Sequence, residues 1–373
     1  MTQTAASQPT PSATGHLYTL DAIRGMAALV VVCLHEFQAF AGLPHPHSGY
    51  LAVDLFFLLS GYVIASAYDG RLSTGMSLPT FLKLRLIRLY PLYLVGFAIG
   101  VVRVLTQFMA GTNPPPAQAF ALGSLLELFM LPTPMTVGWK FDVLFFVNLP
   151  AWSLFFELLI NIFYAAFHKH LSRRVLTMLL VLSGAGLIYA GLQHGSLEVG
   201  NYWHTVAECI PRVAFPFLLG ALIFRCAPKL PALPSLWAWP LTLLVVPLLA
   251  WQPIGHQAVY DLVLVMVVFP ILVCAGTAIQ TRGLTTAVSK VAGEMSYALY
   301  IVHMPLLSLV LALLRRLAPD WHQQPYAGPA AIVLTAAFAW ALDRFYDRPV
   351  RTWLNRIAMP QRSTPARQAL GTP

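Results

Sequence analysis

Long apolar runs nearly empty of charge recur from residue 18 to residue 345 of this 373-residue chain, and nothing else in it constrains the fold so strongly. They lie near residues 18–40, 50–68, 84–107, 119–133, 143–167, 174–193, 205–226, 236–251, 257–279, 294–314 and 327–345. A helix of roughly 17–25 apolar residues crosses a bilayer, because inside lipid each backbone N–H and C=O must be bonded within the segment. Hydrophobic residues are 58% of the chain and charged residues 10%, against about 25% charged in a soluble domain. So few charges cannot cover a surface facing water, but they suffice for one facing lipid. The expected fold class is therefore all-α, a polytopic integral membrane helical bundle.

Loop charge reduces the eleven runs to about ten transmembrane helices. The weakest run is 119–133, which holds Glu127 and ends in Leu131-Pro132-Thr133-Pro134. If it does not span and the N-terminus is cytoplasmic, Arg71, Lys83, Arg85 and Arg88 fall inside. The basic residues at 169–174, Arg225, Lys229, Arg282, Lys290 and the closing Arg344, Arg348, Arg351 and Arg356 join them. The outside exceptions are Lys140, Arg315 and Arg316. If 119–133 did span, the basic loops would change sides. The positive-inside rule thus favours a re-entrant or interfacial segment near 119–133, both termini cytoplasmic, and a multi-pass protein of the cell inner membrane.

Residues 1–17 and 357–373 are polar and read as disordered cytoplasmic tails around a membrane domain at 18–356, with no signal-peptide pattern at the start. The net charge of +9 is explained by the positive-inside loops and does not call for nucleic acid. The four cysteines show neither metal-ligand spacing nor a disulfide framework, so no metal is expected.

A polar side chain inside a bilayer is costly, which makes each one a functional candidate. Arg24 and His35 are eleven residues apart, which returns them to one helix face about 16 Å apart along the axis. Histidine is a general base near neutral pH; a buried histidine paired with a neighbouring helix is the plainer alternative. Arg85 and Arg88 share a face at i, i+3 and suit phosphate, although a positive-inside anchor would look the same. Asp54 enters a membrane helix and needs a partner, while Ser60-Gly61 on that helix reads first as packing. After Trp152, the residues Ser153, Glu157, Asn161 and Tyr164 form one polar stripe that must face the bundle interior. A structural hydrogen-bond network would produce the same pattern. Finally, Ser296, Tyr300 and His303 share a face, with Pro305 placing a kink beside the histidine.

Taken together these runs resemble the membrane acyltransferase-3 family. The matching residues are Leu20-Asp21 to Arg24-Gly25 with His35, Asp54 to Gly61, and Arg85 with Arg88 and Pro91. Trp152-Ser153-Leu154 with Glu157 and Tyr164, and Ser296-Tyr297 to His303, complete the set. Phe345-Tyr346-Asp347-Arg348-Pro349 is similar to the family's closing motif, with Asp where Glu is commoner, and Glu36 directly after His35 is unusual. The resemblance implies an O-acyltransferase that carries an acyl group, commonly acetyl, from cytoplasmic acyl-CoA (acetyl-CoA as donor substrate) to a carbohydrate or glycolipid acceptor. It implies His35 as general base, Glu157 orienting His35 or the acceptor, and Arg24, Arg85 and Arg88 on the CoA phosphates. Tyr300 and His303 would then line the acceptor side. A glycan-modifying enzyme of this kind works with the lipid bilayer as its surroundings. The alternative reading is a transporter or flippase of a lipid-linked or sugar substrate; such proteins more often show an internal repeat, which is not found here.

Overall fold

The computed structural model describes residues 17–40, 45–134, 142–227, 230–318, 320, 321 and 324–358. Lys140, Lys229 and most of the two expected tails lie outside the described residues; Ile357 and Ala358 close the last helix. Among the described residues the fold is helix and loop, with two isolated β-bridges, Val143 to Tyr202 and Leu233 to Ile279.

The chain runs through α1 (Tyr18–Ala39), α2 (Ala52–Ser73), α3 (Leu78–Ala110), α4 (Ala117–Leu128), α5 (Ala151–Phe167), α6 (Arg173–His194) and α7 (Val206–Cys226). It continues through α8 (Ala238–Leu243), α9 (Val245–Ala250), α10 (Gln257–Val263), α11 (Phe269–Thr277), α12 (Gly283–Leu317), α13 (Ala327–Leu342) and α14 (Arg348–Ala358). Wide π-type turns join α10 to α11 and α13 to α14. Among the described residues, six helical stretches are long and apolar enough to cross a membrane: 49–73, 78–110, 173–194, 203–226, 257–277 and 283–314. Shorter apolar stretches are α4, α5 and 235–250. Local signals set the ends. Ser77 and Ser172 accept N–H groups from Thr80 and Val175 at the starts of α3 and α6. Gly111 and Gly195, both at positive φ, end the same two helices.

Several helix pairs among the described residues approach closely, as expected where lipid supplies no hydrophobic driving force and packing must hold the bundle. A Cβ on Gly61 of α2 would lie 1.9 Å from the Phe217 carbonyl of α7, and one on Gly220 2.0 Å from the Leu58 carbonyl. The α1–α12 pair closes in the same way, with Gly25 against Ala292 and Gly293 against Asp21.

The segment expected not to span is α4, whose twelve residues reach only about 18 Å against a core of about 30 Å. Its Glu127 is fully buried. The carboxylate accepts N–H groups of Phe146 (2.8 Å), Val147 (3.1 Å) and Asn148 (3.2 Å) and the Thr133 hydroxyl (3.2 Å). The hydroxyls of Tyr90 and Tyr93 reach the carbonyls of Leu128 and Glu127, tying α4 to α3. The apolar run expected to be helical from 143 is therefore irregular as far as Pro150, and α5 starts at Ala151. The backbone donors of 146–148 are taken by Glu127 instead of a helix.

Hydrogen bonds sort the helix termini into two ends. Arg225 to Asp69 and Tyr164, Arg173 to the Arg225 carbonyl, Lys83 to the Ala358 carbonyl, and Thr19 to the Ile279 carbonyl mark one end, here called the basic end. At the far end Ser48 meets Trp251, Trp203 donates to the Thr133 carbonyl, and His204 meets Asp142. The hydrogen bonds from His204 hold the Asp142 carboxyl below the usual carboxylate range.

Candidate active site

Five helices enclose a cavity of about 160 Å³ toward the basic end, lined by Arg24 of α1, Ser60 of α2, Arg85 and Arg88 of α3, Glu157 of α5 and Ser296 of α12, among others. The i, i+3 spacing on α3 and the polar stripe on α5 both point inward, because their opposite faces meet apolar surroundings. Glu157 Oε1 accepts from Ser60 Oγ at 2.7 Å and from Arg85 Nη2 at 3.0 Å. Arg24 donates to Asp21 (2.8 Å), to Ser296 Oγ (3.1 Å) and to the Gly293 carbonyl (3.0 Å).

Arg88 is held more loosely. Asp347 lies 3.6 Å from its Nη1, and the guanidinium sits 5.7 Å over the Tyr297 ring. The buried Nη1 of Arg88 and Nε of Arg85 have no hydrogen-bond partner in the protein. A guanidinium carries five N–H donors, so this cavity has donor capacity that its own carboxylate does not use. Behind Arg88, the wide turn at Asp343–Asp347 buries both acids completely. Arg351 Nε lies 2.8 Å from Asp347, and Arg348 bridges Asp343 and Glu294.

A second cavity of about 100 Å³ lies toward the far end and is lined by His35, Gln38, Trp152, Glu198, Arg212 and His303, among others. Val53 and Tyr300 line both cavities. Tyr300 bonds Ser153 Oγ at 2.8 Å, and its ring stands edge-on to Phe56. The His35 and His303 ring centres are 5.1 Å apart. Nδ1 of His35 faces the Val31 carbonyl at 2.9 Å, and Nδ1 of His303 faces the Tyr300 carbonyl at 2.6 Å. A carbonyl only accepts, so each Nδ1 carries a proton, and in the neutral ring each Nε2 keeps its lone pair. The Nε2 of His303 is buried without a protein partner.

The residues singled out in the sequence thus divide. Arg24, Ser60, Arg85, Arg88 and Glu157 meet in the first cavity, His35, Trp152 and His303 in the second, and Ser153 bonds Tyr300 between them. Glu157, expected to orient His35 or the acceptor, is bonded to Ser60 and Arg85 and lines a different cavity from His35. Glu36 does not turn to His35 either; it is buried against α13, where Thr335 donates to it at 3.1 Å. Asp54 lines neither cavity. It is fully buried and paired with Arg212, 2.9 Å away, whose guanidinium also lies over the Trp152 ring.

Arg212, Asp343, Asp347 and Arg351 carry weight that spacing did not reveal. Asp347 stands in the closing motif, and Arg212 lies deep in an apolar run, four residues after Glu208. An intramembrane arginine implies an acidic partner, which was the signal that could have found it.

These features define a membrane-embedded helical protein with an arginine-lined chamber that shares a wall with a histidine-lined one. Residues 17–344 match a family model described as an acyltransferase domain, and the chain belongs to the acyltransferase-3 family and is a transferase. Protein 2 in picA locus of Rhizobium radiobacter is 40% identical over 185 residues, 47% of this chain and 94% of that one. Acyltransferase MdmB of Streptomyces mycarofaciens is 34% identical over 152 residues, 37% of this chain and 35% of that one. Against MdmB, then, the chain spans about a third of the relative's length. No solved structure gives a significant match.

Proposed function

We propose that this protein transfers an acyl group, in the simplest case acetyl, from cytoplasmic acyl-CoA to a hydroxyl of a carbohydrate or glycolipid acceptor, with His35 as general base. The observation that carries the reading is the shared wall. A cavity with three guanidinium groups and unsatisfied N–H donors backs, through Tyr300 and Val53, onto a cavity holding two imidazoles. Phosphates suit the first and proton transfer suits the second.

In this reading ten segments cross the inner membrane. They are the six long ones together with α1, α5, the broken α8–α9 and α13. The basic end is cytoplasmic by the positive-inside rule, and both termini lie on that side. Arg24, Arg85 and Arg88 hold the CoA phosphates, and the thioester passes Tyr300 toward His35. The acceptor hydroxyl attacks the thioester carbonyl while His35 Nε2 takes its proton. The C–S bond breaks as the ester forms, and the proton passes from His35 to the departing thiolate, leaving free CoA and neutral histidine. Glu157 holds Arg85 in place for the donor.

Purified protein in liposomes, given acyl-labelled acetyl-CoA and an envelope glycan extract, is expected to release one CoA per acyl group found on glycan. No thioester consumption with any glycan, in a folded preparation, overturns the reading. Mass analysis of envelope glycans with and without the protein would identify the acceptor.

A further inference from the structure

Arg316 was one of the few basic residues left on the outer side by the charge argument, and the two cavities described above do not use it. It lines a separate groove of about 450 Å³ at the far end, between α3 and α12. The groove opens beyond the tight crossing where Gly96 meets the Ile301 carbonyl. It shares no residue with either cavity. Arg103 and Arg316 line it together with Thr106, Gln107, Thr112 and Ser308, and no acidic residue lines it among the described residues.

The nearby carboxylate, Glu127, is occupied by the backbone donors of 146–148. Arg103 gives one N–H to the Phe146 carbonyl at 2.9 Å, which leaves most of its donors uncommitted. The side-chain oxygen of Gln107 is buried with no protein partner. Leu311 and Leu313 of α12 line the groove, and Leu313 is exposed. In a membrane-embedded chain that exposed side chain faces acyl tails.

Two guanidiniums with no carboxylate bonded to them among the described residues call for an anion. An unpartnered buried acceptor calls for a hydroxyl donor. An apolar lining at the membrane surface calls for a tail. We propose that this groove binds a lipid phosphodiester whose headgroup carries hydroxyl groups, with the phosphate between Arg103 and Arg316 and a headgroup hydroxyl on Gln107. Two sources share that chemistry: phosphatidylglycerol of the bilayer and a lipid-linked glycosyl phosphate. The inference rests on membrane embedding alone and is independent of the acyl donor and of His35.

The full-length protein in nanodiscs, with retained lipid counted by native mass spectrometry, tests it. Wild type is expected to hold phosphatidylglycerol over phosphatidylcholine by about tenfold, the worth of one charge-assisted contact. Arg316→Gln, at an exposed position, should remove most of that preference at unchanged melting temperature. Arg103→Gln with Arg316→Gln should remove all of it. Displacement of phosphatidylglycerol by a polyprenyl-phosphate sugar assigns the groove to the lipid-linked source, and no displacement assigns it to the bilayer lipid. Equal retention of both phospholipids by wild type, or an unchanged preference in the folded double variant, overturns the proposal. CoA release, measured in parallel, reports on the transferase reading and not on this one.

Discussion

Two of the bundle's carboxylate–guanidinium pairs are held in opposite ways. Asp54 and Arg212 are sealed, with side chains 0% and 2% exposed. Arg212 spends its donors on both carboxylate oxygens and on the carbonyls of Tyr50 and Val199. Glu157 and Arg85 face a cavity, with side chains 22% and 11% exposed, and Arg85 keeps an N–H without a protein partner. Both pairs began as charged residues in apolar runs. What separates them is saturation: Arg212 commits four of its five N–H donors within the protein and both Asp54 oxygens are taken, whereas Arg85 Nε is left for a ligand.

The difference can be broken from either side. Removing one member of the sealed pair leaves an uncompensated charge in the bundle, so Arg212→Ala should cost about 3–5 kcal/mol of stability. Thermal unfolding in detergent would read this as a large fall in melting temperature; an unchanged melting curve would mean the pair is not what seals α2 to α7. Glu157→Gln should leave melting nearly unchanged and instead cut acyl transfer by roughly 10–100-fold, the worth of a hydrogen bond to a charged group. A stability loss as large as that of Arg212→Ala would make the two pairs alike and defeat the distinction. Ser60→Ala removes only one of the two donors to Glu157. It should lower acyl transfer by a factor of about five at most, near 1 kcal/mol, visible in kcat/KM and not in melting.

The same contrast explains what the chain reveals before it folds. Helical spacing correctly set Ser153, Asn161 and Tyr164 facing inward, and all three are buried. It also set Arg85 and Arg88 on one face, and both line one cavity. Period reports which way a residue points along its own helix. It says nothing about which helix stands opposite. Asp54 needed a partner on energetic grounds, but Arg212 lies 158 residues later, and only the close α2–α7 packing at Gly61 and Gly220 brings them together. The family resemblance implies Glu157 orienting either His35 or the acceptor. The bundle sets Glu157 and His35 in two cavities on either side of Tyr300. The short α4 was legible from charge balance. The service Glu127 performs there, gathering three backbone N–H groups, was not, because it depends on a loop nineteen to twenty-one residues further on.

In the proposed reaction, donor binding and proton transfer belong to different cavities. His35→Ala separates the two when acyl-CoA affinity and acyl transfer are measured on the same folded preparation. The expected result is an unchanged Kd for acyl-CoA and a loss of transfer of roughly 10²–10⁴-fold, the range of a general base. Transfer at the wild-type rate, or a loss of acyl-CoA binding equal to that of the Arg85→Ala, Arg88→Ala double variant, would contradict it.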